Sequence, residues 1–542
     1  MKKIAGIILV VLSPFLVYAQ HQYSRQDSLL GKLTDKRTCY DVKHYELSLR
    51  INPDTKEIKG SNTITYESIN DFNICQIDLD SSLVINTIKQ GRKQLKFKRD
   101  KRAVFIDFDK VQKKGSINAI TVFYEGKPIV AKKAPWDGGF VWSQDKNKQP
   151  WIGVACQNVG ASIWYPCKDH WTDKPDSVTL HYEVPKNLMA VGNGKLIGSK
   201  KTQKGYKRYS WQTSYPINNY NVTLNIGDYS IITDEYTSQD LAKLALDYYV
   251  LKGNEAKALK HFEQVKPMLT CYELIFDKYP FWRDGYALVE TPYLGMEHQG
   301  AIAYGNRYQK GYMGRDLTQT GIGLLFDFII IHETGHEYWG NSVTADDKAE
   351  MWIHEAFCTY GEALYVECLY GKEKSFTYTN GWKNIVENDM PILAPREVNA
   401  EGSGDMYFKG ALMLHTIRNV INDDVLWFAL IKKFYQEFKG KHSQTKDVIA
   451  FFNTNTKIDL TGIFEEYLKY TEIPTFQYKI ENNALFYRFE AKAHNLEMPV
   501  EVTYQGQKKR LKTTTKWQKD DSIKSSDIQI ATDLFYILTQ KL

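Results

Sequence analysis

The chain has 542 residues, 43% of them apolar, with 70 Lys and Arg against 64 Asp and Glu. That is enough for two to four domains with cores of their own. A formal charge of +6 over this length, with no basic helix interleaved with aromatics, excludes a nucleic-acid binder. Seven scattered cysteines without a C-x-x-C pair exclude a disulfide framework.

Lys2 and Lys3, the apolar run 4–12 and Val17-Tyr18-Ala19 before Gln20 read as a secretory signal peptide cleaved near Ala19. The run is short and broken by Pro14, and no other stretch approaches the ~20 apolar residues of a span. The expectation is an exported chain, periplasmic or secreted, with no membrane span once mature. Residues 20–251 are expected to form an N-terminal β domain. Apolar and polar residues alternate there at 45–51 (YELSLRI), 62–66, 104–108, 120–124, 178–184 and 222–226, which predicts an antiparallel sheet region. The lysine-rich stretch 89–102, in which Leu95 and Phe97 alternate with polar residues, predicts a solvated hairpin.

After Leu251 the period becomes helical. Ala258, Phe262, Val265 and Leu269 recur at three- and four-residue spacing, with Leu274 five further on, through 254–278, despite Pro267. A catalytic domain is drawn at 252–473, and 474–542, where alternation returns at 476–480 and 485–489, reads as a small β-sandwich. The cysteines (39, 75, 156, 167, 271, 358, 368) are expected as free buried thiols; export would permit a Cys156–Cys167 bond.

The chemistry is concentrated at 326–357, FDFIIIHETGHEYWGNSVTADDKAEMWIHEAF. A helix through this apolar run is buried all round, so His332, Glu333 and His336 are costly there unless something binds them. Four residues apart, the imidazoles of His332 and His336 point the same way and can share one metal ion, whereas Glu333, about 100° round, reaches a water beside it. A catalytic zinc normally takes three protein ligands, and a second helical pattern from about 350 to 370, stopped by Gly371, offers Glu355 among Trp352, Ile353, Ala356 and Phe357. Glu362, two turns further on, suits a hydrogen-bond acceptor for a ligating histidine.

Together these residues resemble the zinc core of the aminopeptidase N family of gluzincin metallopeptidases, which includes the leukotriene hydrolase. Pro292-Tyr293-Leu294-Gly295-Met296-Glu297-His298 resembles that family's G-x-M-E-N exopeptidase loop, and Tyr407-Phe408-Lys409-Gly410-Ala411 its Y-x-K-G-A motif. Gln157 and Tyr165-Pro166-Cys167-Lys168-Asp169 sit where the family has a substrate-contacting Gln or Glu and a P-C-x-D segment.

The resemblance implies an N-terminal β saddle, a mostly α thermolysin-like catalytic domain, and one Zn2+ per chain on His332, His336 and Glu355. It implies Glu333 as the base, Tyr407 as donor to the oxyanion, and peptides with a free N-terminus as substrates. Their amine would meet Glu297 in a loop with Tyr293, Gly295 and Met296, with Gln157 contacting substrate from the saddle. Two alternatives stand beside this: a thermolysin-type endopeptidase, against which Glu297 argues, and an inactive zinc-stabilised peptide-binding protein, against which the complete set of Glu333, Tyr407 and three ligands argues. His298, His354 and Ala356 depart from the family's Asn, Asn and Gly. The epoxide chemistry of the leukotriene hydrolase is not expected, because Gly402 and Asn399 stand where it uses a tyrosine and an aspartate.

Overall fold

The period-two alternation of the first half is realised as a ten-stranded sheet whose central strand, Tyr40–Asn52, turns Tyr45, Leu47, Leu49 and Ile51 into the core. The computed structural model describes residues 23–203 and 205–542, so the expected signal peptide at 1–19 lies outside the described residues. Tyr40–Asn52 pairs antiparallel with Glu57–Ser68, but its other neighbour, Ser177–Pro185, runs parallel to it. Alternation does not encode strand direction, so the sequence could not distinguish the two. The lysine-rich stretch is the expected hairpin: Leu83–Gln90 and Lys93–Asp100 meet at Gly91, and Leu95 is buried opposite Ile88.

A four-stranded sheet (Gly139–Gln144, Pro150–Ala155, Met189–Val191, Asn225–Gly227) follows, and Gln157 lies just beyond the end of its second strand. Only the end of the expected 222–226 strand forms. Upstream, Asn219–Asn221 is a 3-10 turn whose Asn219 side chain donates to the Lys168 carbonyl at 2.8 Å. Short asparagines that bond to backbone compete with ladder formation.

A five-stranded sheet crosses the expected boundary at 251/252. Its strands are β1 (Tyr229–Thr237), β2 (Lys243–Leu251), β3 (Tyr286–Glu290), β4 (Gly295–Met296) and β5 (Ile302–Tyr304), in the spatial order β1-β2-β3-β5-β4. The exopeptidase-like loop is therefore the edge strand β4. The helical stretch expected at 254–278 divides at a 3-10 turn into Glu255–His261 and α1 (Val265–Ile275), with Pro267 in the first turn of α1, where a missing N–H costs nothing.

Three further helices build the site: α2 (Phe328–Tyr338), α3 (Trp352–Tyr370, ended by Gly371 at φ 92°) and α4 (Phe408–Ile421). Every residue of α3 from Trp352 to Val366 is buried, so the helix is a core element on all sides. Cys271 of α1 and Cys368 of α3 form a disulfide, Cα atoms 6.0 Å apart, which corrects the expectation of free thiols at these two positions. Their separation of 97 residues hides the pairing from any spacing rule. The other five cysteines, Cys156 and Cys167 among them, are buried and free.

The C-terminal region folds as a four-stranded sheet, built around Thr475–Glu481 and Ala484–Glu490, and a three-stranded one around Glu497–Tyr504. Among the described residues no helix is long and apolar enough to cross a membrane.

Candidate active site

Asp327 sets the start of α2. One carboxylate oxygen accepts from Ile329 and Ile330 N–H at 2.9 and 3.3 Å, and the other accepts from the Tyr304 hydroxyl at 2.8 Å and lies 2.7 Å from His261 Nε2. From this fixed start, His332 and His336 fall on one face with their Nε2 atoms 3.2 Å apart. Glu355, from the buried start of α3, brings Oε2 to 3.2 Å from His336 Nε2 and 3.5 Å from His332 Nε2.

The three atoms form a near-equilateral triangle. Ligands at about 2.0–2.1 Å from a tetrahedral ion lie roughly 3.3 Å from one another, so the triangle fits zinc. Glu355 Oε2 is buried without a hydrogen-bond partner among the described residues, which a cation between the three atoms would satisfy. The far sides of both rings are already bonded. His332 Nδ1 meets Glu362 Oε1 at 2.8 Å and His336 Nδ1 meets the Trp339 carbonyl at 2.9 Å, which puts the protons on Nδ1 and leaves both Nε2 lone pairs facing the triangle. The Tyr378 hydroxyl donates to Glu362 Oε2 at 2.7 Å and fixes that carboxylate. Tyr378 escaped the sequence reading because nothing distinguishes it from other helical tyrosines.

Glu333 stands beside the triangle. Burial raises its carboxyl above the usual range, while the His332 and His336 imidazoles pull it back. It lies against Gly295, where an added Cβ would come 2.6 Å from Glu333 Oε1, so a glycine lets strand β4 approach the base this closely. The Leu294 carbonyl accepts from Gly305 N–H at 2.7 Å. Antiparallel bonding alternates, so the next residue, Gly295, turns its own N–H and C=O away from β5 and towards the cavity.

Glu297 follows, buried, with Oε1 accepting from Gln157 Nε2 at 2.5 Å. The same amide lies 3.4 Å from Glu355 Oε1, so a side chain from the N-terminal β region touches both carboxylates. Burial pushes the Glu297 carboxyl up to about 7 against the opposing pull of His336.

Tyr407 sits at the entry to α4 with its ring 6.0 Å from that of His332. Lys409 of the same motif turns away and donates to the Tyr470 carbonyl at 2.8 Å. A Cβ on Gly410 would come 2.7 Å from that of Ala356, so this glycine seats α4 on α3.

Gln157, Gly295, Met296, Glu297, Glu333 and Tyr407 thus join the triangle on one cavity of about 390 Å³. Tyr293 does not line it. Its hydroxyl donates to the Val154 carbonyl at 3.0 Å and its ring forms part of a neighbouring cavity. His354 accepts from Ala345 N–H at 2.8 Å and stacks on Trp171, and burial holds it down to about 3, neutral and structural. His298 is likewise buried, and kept neutral by that burial.

This geometry, two imidazoles and a carboxylate with a second carboxylate beside an edge strand, defines a metallopeptidase type of site. Residues 260–467 match the Peptidase family M1 domain and residues 41–220 the Peptidase M1 N-terminal domain. The chain belongs to peptidase family M1, a family of zinc enzymes. Aminopeptidase N of Lactobacillus helveticus is 22% identical over 459 residues, covering 80% of this chain and 51% of that protein. Leucyl aminopeptidase of Saccharolobus solfataricus is 23% identical over 448 residues, with 79% and 53% covered. The chain therefore spans about half the length of these relatives. An M1 zinc metallopeptidase from Deinococcus radiodurans, solved as a mutant bound to a Tyr-Ser-Ala substrate, superposes with a TM-score of 0.66 at 20% identity, covering 82% of this chain and 96% of that one. At that identity the likeness establishes the fold.

Proposed function

We propose that the chain is a zinc-dependent aminopeptidase that removes the N-terminal residue of peptides, with one zinc per chain held by His332, His336 and Glu355. The observation that carries this is the buried Glu297 carboxylate on the same cavity as the ligand triangle, joined to it through Gln157. A buried anion there suits a free α-ammonium and sets cleavage one residue from the N-terminus. A zinc ion held by His332, His336 and Glu355 would supply Lewis acidity towards the scissile carbonyl and a lowered pKa for water. Glu333 takes the proton of the attacking water and passes it to the departing amine. The Tyr407 hydroxyl donates to the oxyanion. Gly295 pairs its outward N–H and C=O with the substrate backbone, beside Met296.

Aminoacyl fluorogenic substrates, with and without a chelator and alongside N-acetylated versions, test the proposal: cleavage confined to free amines and abolished by chelation is expected, and equal cleavage of acetylated peptides would overturn it. We propose also that the chain works outside the reducing cytosol. The Cys271–Cys368 bond supports this, and intact-mass analysis of protein recovered from cell fractions tests it, a full-length cytosolic product being the contrary result.

A further inference from the structure

The catalytic cavity does not end at the strand that lines it. A second cavity, of about 370 Å³, adjoins it, and Trp136, Leu294 and Tyr312 belong to the walls of both. They form a collar. Trp136 is held there by Asn158 Nδ2, which donates to its carbonyl at 3.1 Å, yet the residue is left 49% exposed. So large an apolar ring at a cleft mouth gains from a bound molecule that covers it.

Direction along β4 says which molecule. On the reading of the site given above, on which this inference rests, the substrate's amine lies at Glu297 and its scissile bond beside Glu333 and Gly295. A peptide that starts at Glu297 and follows the edge strand back past Gly295 runs antiparallel to it and next meets Leu294. The residues released by cleavage therefore pass the collar into the second cavity.

Arg307 is the one cationic residue lining that cavity; it is exposed and stands on the divide with a further cavity of about 800 Å³, beside Lys257, Lys260 and Lys310. No carboxylate of the described residues forms an ion pair with it. Its acidic neighbour is already engaged: Glu290 accepts from Leu251 N–H at 2.7 Å, Asn254 Nδ2 at 2.8 Å and the Tyr308 hydroxyl at 2.7 Å. The backbone that presents Arg307 is fixed as well. Arg307 and Tyr308 both have left-handed φ, 55° and 58°, in a turn anchored by Asn306, whose Nδ2 donates to the Gln309 and Gly311 carbonyls at 2.7 and 2.9 Å and to Asp327 Oδ1 at 2.8 Å. A bulky pair in that conformation persists only where the surroundings enforce it.

We propose that the second cavity is a downstream subsite for short peptides, and that Arg307 binds the C-terminal carboxylate of tri- and tetrapeptides. The planar guanidinium matches a carboxylate at two points, and the two-cavity length suits a substrate that ends within the protein.

The test compares tripeptide acids with their C-terminal amides, identical in sequence, on the zinc-loaded full chain. The acids are expected to show kcat/KM higher by about tenfold, carried mainly by KM, and Arg307→Ala to bring the acid down to the amide's level while Arg307→Lys keeps part of the preference. Equal turnover of acid and amide by the unmodified protein, or a preference that survives Arg307→Ala, would overturn it. Calorimetric binding of the same pair to the Glu333→Gln variant gives an independent reading: tighter binding of the acid is expected, and equal affinity rejects the subsite even if neither peptide is cleaved. Absence of cleavage in a zinc-loaded protein that still binds the acid more tightly would instead count against the aminopeptidase reading and leave the subsite standing.

Discussion

Asn341 Nδ2 donates to the backbone carbonyl of Glu297 at 2.8 Å, so the turn that ends α2 grips the loop that carries the buried Glu297 carboxyl group. The Asn341 N–H in turn reaches back to the His336 carbonyl at 2.9 Å, and its own carbonyl accepts from Lys174 Nζ at 2.8 Å. Asn221, from the β region, bonds to its Oδ1. Three parts of the chain meet at one amide. Asn341→Ala leaves the Glu297 carbonyl buried and unpaired, at a cost of about 1–3 kcal/mol. The expected outcome is a fall in kcat/KM of roughly 5- to 150-fold for free-amine substrates with zinc content unchanged, read by steady-state kinetics and metal analysis.

Glu333→Gln keeps the size of the side chain and removes the proposed base. Zinc is expected to remain, because the proposed ligands are His332, His336 and Glu355, while turnover all but disappears. A variant retaining more than about a tenth of the original kcat would argue against the role.

Tyr407→Phe removes one hydroxyl. If it donates to the oxyanion and not to the ground-state carbonyl, kcat falls by about two to three orders with KM little changed. A change confined to KM would reassign Tyr407 to substrate binding.

Glu297→Ala separates recognition from metal binding. A lost partner in a buried charge contact typically costs about 2–5 kcal/mol, so kcat/KM towards free-amine peptides is expected to drop 30-fold or more with zinc retained. Measured on N-acetylated peptides, the same substitution is expected to change little.

Cys368→Ser opens the bond between α1 and α3. Closing a loop of about 100 residues is worth roughly 4.7 kcal/mol in the chain-entropy account, and removing a native disulfide typically costs 2–5 kcal/mol. A lower denaturation midpoint is expected with the zinc content of the folded protein unchanged, and an unchanged midpoint would assign the bond no role in stability.

What the sequence revealed follows the range of the interactions. His332, Glu333 and His336 share one helical turn, and Glu355 sits at the start of the next helix, so local periodicity located them all. Gln157 was reachable only through a family resemblance, since nothing local ties it to Glu297, 140 residues away. Tyr378 on Glu362 and Asn341 on Glu297 were not legible, because polar residues choose such partners in three dimensions. The same holds for the parallel pairing of Tyr40–Asn52 with Ser177–Pro185 and for the sheet that crosses 251/252: alternation marks a strand but names neither neighbour nor direction. Pro267 carried a clear local signal, and the helical stretch divides just before it, at Phe262–Gln264, with Pro267 taken into the first turn of α1.

The Cys271–Cys368 bond also makes a ring of the chain, and that ring encloses Glu297, Arg307, Glu333 and the His332, His336 and Glu355 triangle. A chain that meets peptidases is exposed to clipping. A single cut anywhere inside the ring leaves its two pieces covalently joined, so a clipped molecule keeps α2 and α3 tethered and migrates as one species until a thiol is added. The gel pattern of an aged sample, reduced against unreduced, then reports on where the chain has been cut, because only a nick between 271 and 368 is concealed by the bond.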